Sequence, residues 1–157
     1  MRLIFKQRLF AWFDSYDIYY ENGDIAYTVK GQLSWGHCLK IYDPSGREVG
    51  TVKEKVLTLL PQFELYQGNQ YMGRIRKEFT LFRPSFFIEY GGWSVEGNFL
   101  EWDYQILDRN RAPVAYVTKE VFNLTDTYVM DIGNPRDALE VLMLVLAIDA
   151  EKCSRSN

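Results

Sequence analysis

The chain has 157 residues, 47% hydrophobic and 25% charged, with a formal net charge of −3. That length suits one domain spanning residues 1–157, with enough interior to bury a core. The small negative charge excludes broad electrostatic binding to nucleic acid or to an anionic membrane, and leaves only local patches to consider.

The chain starts with "MRLIFKQRLFAWF", in which "LIFKQRL" reads as a strand. Arg2, Lys6 and Arg8 interrupt its apolar residues and no small-residue cleavage site follows, so it is not read as a signal peptide. Without a secretory signal, Cys38 and Cys153 are expected as two free, unbridged thiols in a cytoplasmic protein.

A repeated plan follows: a short alternating run, a polar turn, then a longer alternating run. The first three copies are "YDIYYENGDIAYTVKGQL", "LKIYDPSGREVGTVKEKV" and "FELYQGNQYMGRIRKEF". A weaker one, "FFIEYGGWSVEGNFL", comes next, and then "YQILDRNRAPVAYVTKEV". An apolar anchor recurs at Ile18, Ile41, Leu65, Ile88 and Ile106, with a turn residue four later at Asn22, Ser45, Asn69, Gly92 and Asn110. Turns carrying NG, SG, GN and GG supply the residues that tolerate positive φ in tight hairpins. Five hairpins are therefore expected, and the aromatic share of 16% agrees with strands.

Period-two alternation assigns faces. Ile25, Tyr27, Val29 and Leu33 share one side of the first copy, and Tyr71, Gly73, Ile75 and Phe79 one side of the third. Thr28, Lys30 and Gln32, or Arg74, Arg76 and Glu78, take the opposite side. This is a sheet with one buried and one solvated face. Gly31, Glu54, Lys77 and Lys119 break the pattern, because each falls on the apolar parity at the same place in its copy. A charge facing a core is costly, so a bulge or strand end is expected there.

A last strand, "TYVMDI", brings the count to twelve. It precedes "NPRDALEVLMLVLAIDAEKC", where Val141 to Ile148 contains no polar residue. Asn134 suits the N-cap, Pro135 the first helical position, and Asp137 the first turn. The apolar run falls far short of the ~20 residues a bilayer span needs. A helix apolar on every side must then be surrounded by protein. Twelve strands leave a long edge unless the sheet closes, and a barrel wider than ~8 strands is hollow. The expected fold is all-β with one helix: a twelve-stranded antiparallel barrel closed around a hydrophobic C-terminal helix. A helix from Pro135 to Ala150 would be ~24 Å long, about the height of such a barrel. Val141, Leu142, Leu144, Val145 and Ile148 should be almost fully buried.

The chain resembles the LURP-one-related family over essentially its whole length. The residues that carry the resemblance are "LTDTYVMDI" with the "LMLVLAID" helix, "SVEGNF", and the strand ends "KEKV", "RKEF" and "TKEV". The resemblance implies the tubby C-terminal-like fold shared with phospholipid scramblases, a twelve-stranded barrel around a central helix. It implies no enzymatic activity. Relatives include phosphoinositide-binding tubby domains, plant defence-linked proteins and calcium-responsive scramblases. The tubby lipid-binding lysine and arginine motif does not map onto this chain. At the scramblase calcium position, "LTDTYVMDIGNP" offers only Asp126 and Asp131, too few carboxylates for a calcium shell of 6–8 oxygens.

The residues point to no catalytic chemistry. Cys38 follows His37, the only histidine, but adjacent strand residues point to opposite faces, so the two do not form a nucleophile–base pair. One histidine and two distant cysteines make no zinc site. Asp103, Asp108, Asp126 and Asp131 follow no spacing that pairs two of them. GxGxxG, P-loop, GxSxG and HExxH motifs are absent. No cofactor, metal or enzymatic activity is expected. The candidate binding residues are basic: Lys53 and Lys55 in the second copy hold places equivalent to Arg74 and Arg76 in the third, with Lys77 and Arg83 following. If the two hairpins are neighbours, Lys53, Lys55, Arg74 and Arg76 form an outward strip suited to anionic lipid headgroups. Interspersed Glu54 and Glu78 make an ordinary solvated exterior the competing reading. The expected function is a non-enzymatic binding module whose ligand the sequence does not identify, with membrane lipid headgroups as the first specific candidate. The alternative is a structural or protein-interaction domain without lipid affinity, and exposed aromatics near the strip would favour the lipid.

Overall fold

The structure, a computed structural model, describes residues 1–6, 15–32, 34–78, 85–98, 101–122 and 125–154. Leu33, Phe79 and Arg83 lie outside the described residues, as do the side chains of Asp126 and Cys153. The first half of the sheet comprises β1 (Arg2–Lys6), β2 (Ser15–Tyr20), β3 (Ile25–Gln32), β4 (Cys38–Tyr42), β5 (Glu48–Glu54) and β6 (Gln62–Gln67). The second comprises β7 (Gln70–Glu78), β8 (Ser85–Ile88), β9 (Ser94–Asn98), β10 (Asp103–Leu107), β11 (Pro113–Phe122) and β12 (Thr125–Ile132). Asn134 caps a 3-10 turn over Pro135–Asp137 by accepting from the Arg136 N–H, and the α-helix α1 (Ala138–Ser154) follows without a break.

The twelve strands form one antiparallel sheet in the order β8-β7-β6-β5-β4-β3-β2-β1-β12-β11-β10-β9. The first and last strands in sequence meet, from Arg2 opposite Asp131 to Lys6 opposite Thr127. The sheet wraps α1 almost completely. Val141, Leu142, Val145 and Ile148 are wholly buried and Leu144 is 1% exposed, as the apolar circumference of the helix requires. At ~1.5 Å per residue the 17-residue helix is roughly 25 Å long. Its first turns face the hairpin-turn end of the wall: a Cβ on Gly50 would lie 3.2 Å from both Leu139 and Met143. Its last turns reach the opposite end, where Lys77 meets Glu151.

Closure is not complete. Four of the five expected hairpins are hydrogen-bonded ladders: β2–β3, β4–β5, β6–β7 and β10–β11. The fifth is corrected. Tyr90 to Trp93 makes a tight turn, with Gly91 and Gly92 at positive φ and the Trp93 N–H donated to the Tyr90 carbonyl. Yet β8 pairs with β7 and β9 with β10, and among the described residues β8 and β9 approach without a ladder between them. The barrel therefore has a seam at this point.

At the parity break the structure shows strand ends and no bulge for three positions, with Glu54 last in β5 and Gly31 and Lys77 next to last in β3 and β7, while Lys119 stays paired within β11. No register shift occurs near Lys77, and β7 stays paired with β8 through Lys77 opposite Phe86. The side chain instead turns inward at the end of the barrel and ion-pairs with the buried Glu151 carboxylate at 3.0 Å. Glu54, at the strand end as expected, packs against His37. The bulges sit at the other end of each ladder, directly after the buried anchors Ile18, Ile41, Leu65 and Ile106. The bulged strands carry one extra residue there: Ala26, Val49, Met72 and Val114 respectively. A bulge reverses the alternation beyond it. That is why Ala26 is buried while Ile25, assigned to the core by simple alternation, is 42% exposed. Tyr71, on the far side of the Met72 bulge, is exposed for the same reason.

Candidate functional site: a basic face beside an apolar rim

The outer face of β5, β6 and β7 carries the predicted basic residues. Hairpin neighbours do pack side by side: Lys53 lies opposite Glu64 on β6, and Glu64 opposite Arg74 on β7. The next row runs from Lys55, whose N–H donates to the Gln62 carbonyl, across Gln62 to Arg76. All four side chains point outward; Lys53, Lys55 and Arg76 are exposed and Arg74 is half-buried. The strip is not purely cationic. The Glu64 carboxylate lies 3.6 Å from Lys55 and accepts from the Tyr66 hydroxyl. Glu89 pairs with Arg74 at 2.6 Å. Arg76 stacks over the half-exposed Phe87 ring, 4.8 Å from its centroid.

Parity did not reveal the apolar group next to this face. β5 and β6 are joined by residues 55–61, in which Leu57 and Leu59 are fully exposed and Val56 is 40% exposed. The loop is shaped and not merely slack. The Thr58 hydroxyl lies 2.7 Å from the Leu60 carbonyl and 3.1 Å from that of Lys55, pinning both ends of the turn. Leu57 adopts a left-handed φ of 64°, unusual for a residue with a branched side chain. Residues 34–37, between β3 and β4, lie against it: a Cβ on Gly36 would come within 2.6 Å of Val56 Cγ1. Trp35 on that second loop is 90% exposed. The two loops are tied by His37 and Glu54. The His37 N–H donates to the Glu54 carboxylate at 2.9 Å, the Glu54 N–H donates to the His37 carbonyl at 2.7 Å, and the imidazole packs on the same carboxylate. Burial lowers the imidazole pKa, with the Glu54 carboxylate opposing that shift.

The other candidates separate in space. Cys38 opens β4 as a buried free thiol, and burial raises its pKa, the reverse of an activated nucleophile. Asp131 forms a two-point hydrogen-bonded pair with Arg2, and Asp108 closes its own turn by accepting from the Asn110 and Ala112 N–H groups. Among the described residues no three His, Cys, Asp or Glu side chains converge as a metal site would require. Of two open surface grooves, one is edged by the carboxylates of Asp17 and Glu21 and the other by Asp24 and Asp43 together with Lys30. No described helix is long and apolar enough to cross a membrane.

A twelve-stranded wall on an apolar helix, with its charged side chains on the exterior, defines an interior built for packing. The chain belongs to the LURP-one-related family, whose model matches residues 1–149. It is similar to the uncharacterized protein YxjI of Bacillus subtilis (strain 168), at 25% identity over 150 residues covering 95% of this chain and 92% of that protein.

Proposed function

We propose that this chain is a non-enzymatic module that docks on anionic lipid headgroups with the outer face of β5–β7. The observation that carries the reading is the cross-strand placement of Lys53 with Arg74 and of Lys55 with Arg76 in adjacent rows of one exposed face. Basic residues near an anionic surface contribute ~1 kcal/mol each, and the contribution falls off within a Debye length. Glu64 and Glu89 offset part of that, so the headgroup attraction is weak and salt-sensitive. A protein-interaction domain is the second reading. The interleaved charges of both signs favour it, since they suit a mixed polar partner surface.

Cosedimentation with phosphatidylcholine vesicles, with and without phosphoinositide, separates the two. The quadruple variant Lys53→Gln, Lys55→Gln, Arg74→Gln, Arg76→Gln should lose phosphoinositide-dependent binding with its melting temperature nearly unchanged. Equal binding by both proteins, or by neither, overturns the headgroup role and leaves the protein-interaction reading ahead.

A further inference from the structure

We infer that the rim formed by the 34–37 and 55–61 loops inserts into the interfacial layer of a bilayer, with Trp35, Leu57 and Leu59 as the inserted side chains. The inference rests on the membrane-docking reading and deepens it, because it assigns the affinity to apolar insertion more than to charge. Three observations favour a bilayer over other occupants. Leu57 and Leu59 are fully exposed on a loop whose Thr58 hydroxyl donates to the Leu60 carbonyl at 2.7 Å, with the Lys55 carbonyl 3.1 Å away. Trp35, at 90% exposure, belongs to the residue type that sits at the headgroup level of membranes. Lys53 and Lys55 lie immediately beside the leucines, and Arg76 lies one row across, where cations meet anionic headgroups as the leucines enter.

The geometry also gives the loops a fixed shape. The backbone and carboxylate bonds between His37 and Glu54 hold the tryptophan loop against the leucine loop, with Gly36 packed on Val56. Two separate loops thus present one apolar edge whose ordering is already complete before binding. An inserting edge of this kind gives binding that survives screening, because apolar transfer is independent of salt where headgroup attraction is not.

The test uses the full chain, vesicles of phosphatidylcholine with and without 20% phosphatidylserine (about one lipid in five, enough for a negative surface), and low and high salt. Trp35 emission is isolated as the difference between wild type and Trp35→Phe. The double variant Leu57→Ser, Leu59→Ser changes fully exposed side chains, and an unchanged melting curve confirms that it folds. Insertion predicts that Trp35 emission shifts to the blue on vesicle addition and is quenched by brominated acyl chains. It predicts that binding persists in high salt, and that the double variant binds roughly 100-fold more weakly, at about tenfold per leucine. Binding that vanishes in high salt and is equal in wild type and double variant overturns insertion while leaving the basic face intact. Binding by neither protein overturns insertion, and the phosphoinositide vesicles then decide the headgroup reading separately. If vesicles are ignored but the wild type self-associates and the double variant does not, the rim is an interface between copies, and the inference also fails.

Discussion

Leu144→Ala tests the central helix most directly when it is paired with Leu59→Ala. The two leucines undergo the same chemical change in opposite surroundings: Leu144 is 1% exposed inside the barrel and Leu59 is fully exposed on the rim. Removing the buried side chain forfeits its transfer free energy and leaves a cavity that the hydrogen-bonded wall fills only in part, for a loss of about 3–5 kcal/mol. For a chain of this size each kcal/mol moves the melting temperature by about 2–4 °C, so a drop of roughly 6–20 °C is expected. The rim change should stay within about 0.5 kcal/mol. Leu144→Asp adds a carboxylate with no place for its charge, several kcal/mol more, which approaches the whole stability of about 5–15 kcal/mol of a typical domain. That variant should show no cooperative transition. Urea and thermal unfolding followed by near-ultraviolet circular dichroism provide the measurements. A Leu144→Ala protein within about 1 kcal/mol of Leu59→Ala, or a folded and cooperative Leu144→Asp protein, would refute the enclosed-helix argument.

Two glycines give a second comparison. Gly73 sits at φ +147, where a Cβ would meet the Glu89 carbonyl at 2.0 Å, while Gly46 sits at φ +81 facing open space. Gly73→Ala should cost at least about 2 kcal/mol and Gly46→Ala about 1 kcal/mol in chemical denaturation; equal losses would show that contact with residue 89 does not constrain β7. Alkaline titration probes the interior. Burial, with a smaller contribution from Asp149, raises the Tyr16 and Tyr104 pKa values far above the usual range, and burial first, then Glu140, pushes Tyr90 to about 12. Because the folded values exceed the unfolded ones, their stabilisation is complete below the ordinary tyrosine pKa and is lost progressively as pH rises above it. Absorbance near 295 nm (the phenolate band) should therefore show Tyr16, Tyr90 and Tyr104 ionising only together with unfolding. A single smooth titration of all of them in folded protein would contradict their enclosure.

Much of this architecture is legible in local sequence because its signals are local. Asn134 and Pro135 mark a helix start, and the unbroken apolar run Val141–Ile148 marks a helix that needs a wall on every side. The anchors Ile18, Ile41, Leu65 and Ile106 mark the buried register. The errors concern quantities that no short stretch contains. The Gly91–Gly92 turn reverses the chain as expected, but whether its strands remain paired depends on the strand number, tilt and shear of the whole barrel. Lys77 looked misplaced because its partner, Glu151, lies 74 positions away. The bulges at Ala26, Val49, Met72 and Val114 leave no composition signal, and they displaced Ile25 and Tyr71 from the core. Of the candidate site, the outward directions of Lys53, Lys55, Arg74 and Arg76 followed from parity. The intervening Glu64 and the exposed rim did not, since simple alternation says nothing about loops.

The pairing of β1 with β12 has a consequence for biosynthesis. Strand β1 meets β2 early, but its second neighbour comes only at residues 127–131, and the segment that fills the barrel, α1, is made later still. As the chain leaves the ribosome, each hairpin can zip up locally, but its apolar inner surface has nothing to cover it until α1 is made. Closure of the barrel should therefore wait for β12 and α1, with a final step limited by loop closure over more than 120 residues. Until that step, a row of half-made ladders is open to chaperones and to other nascent chains.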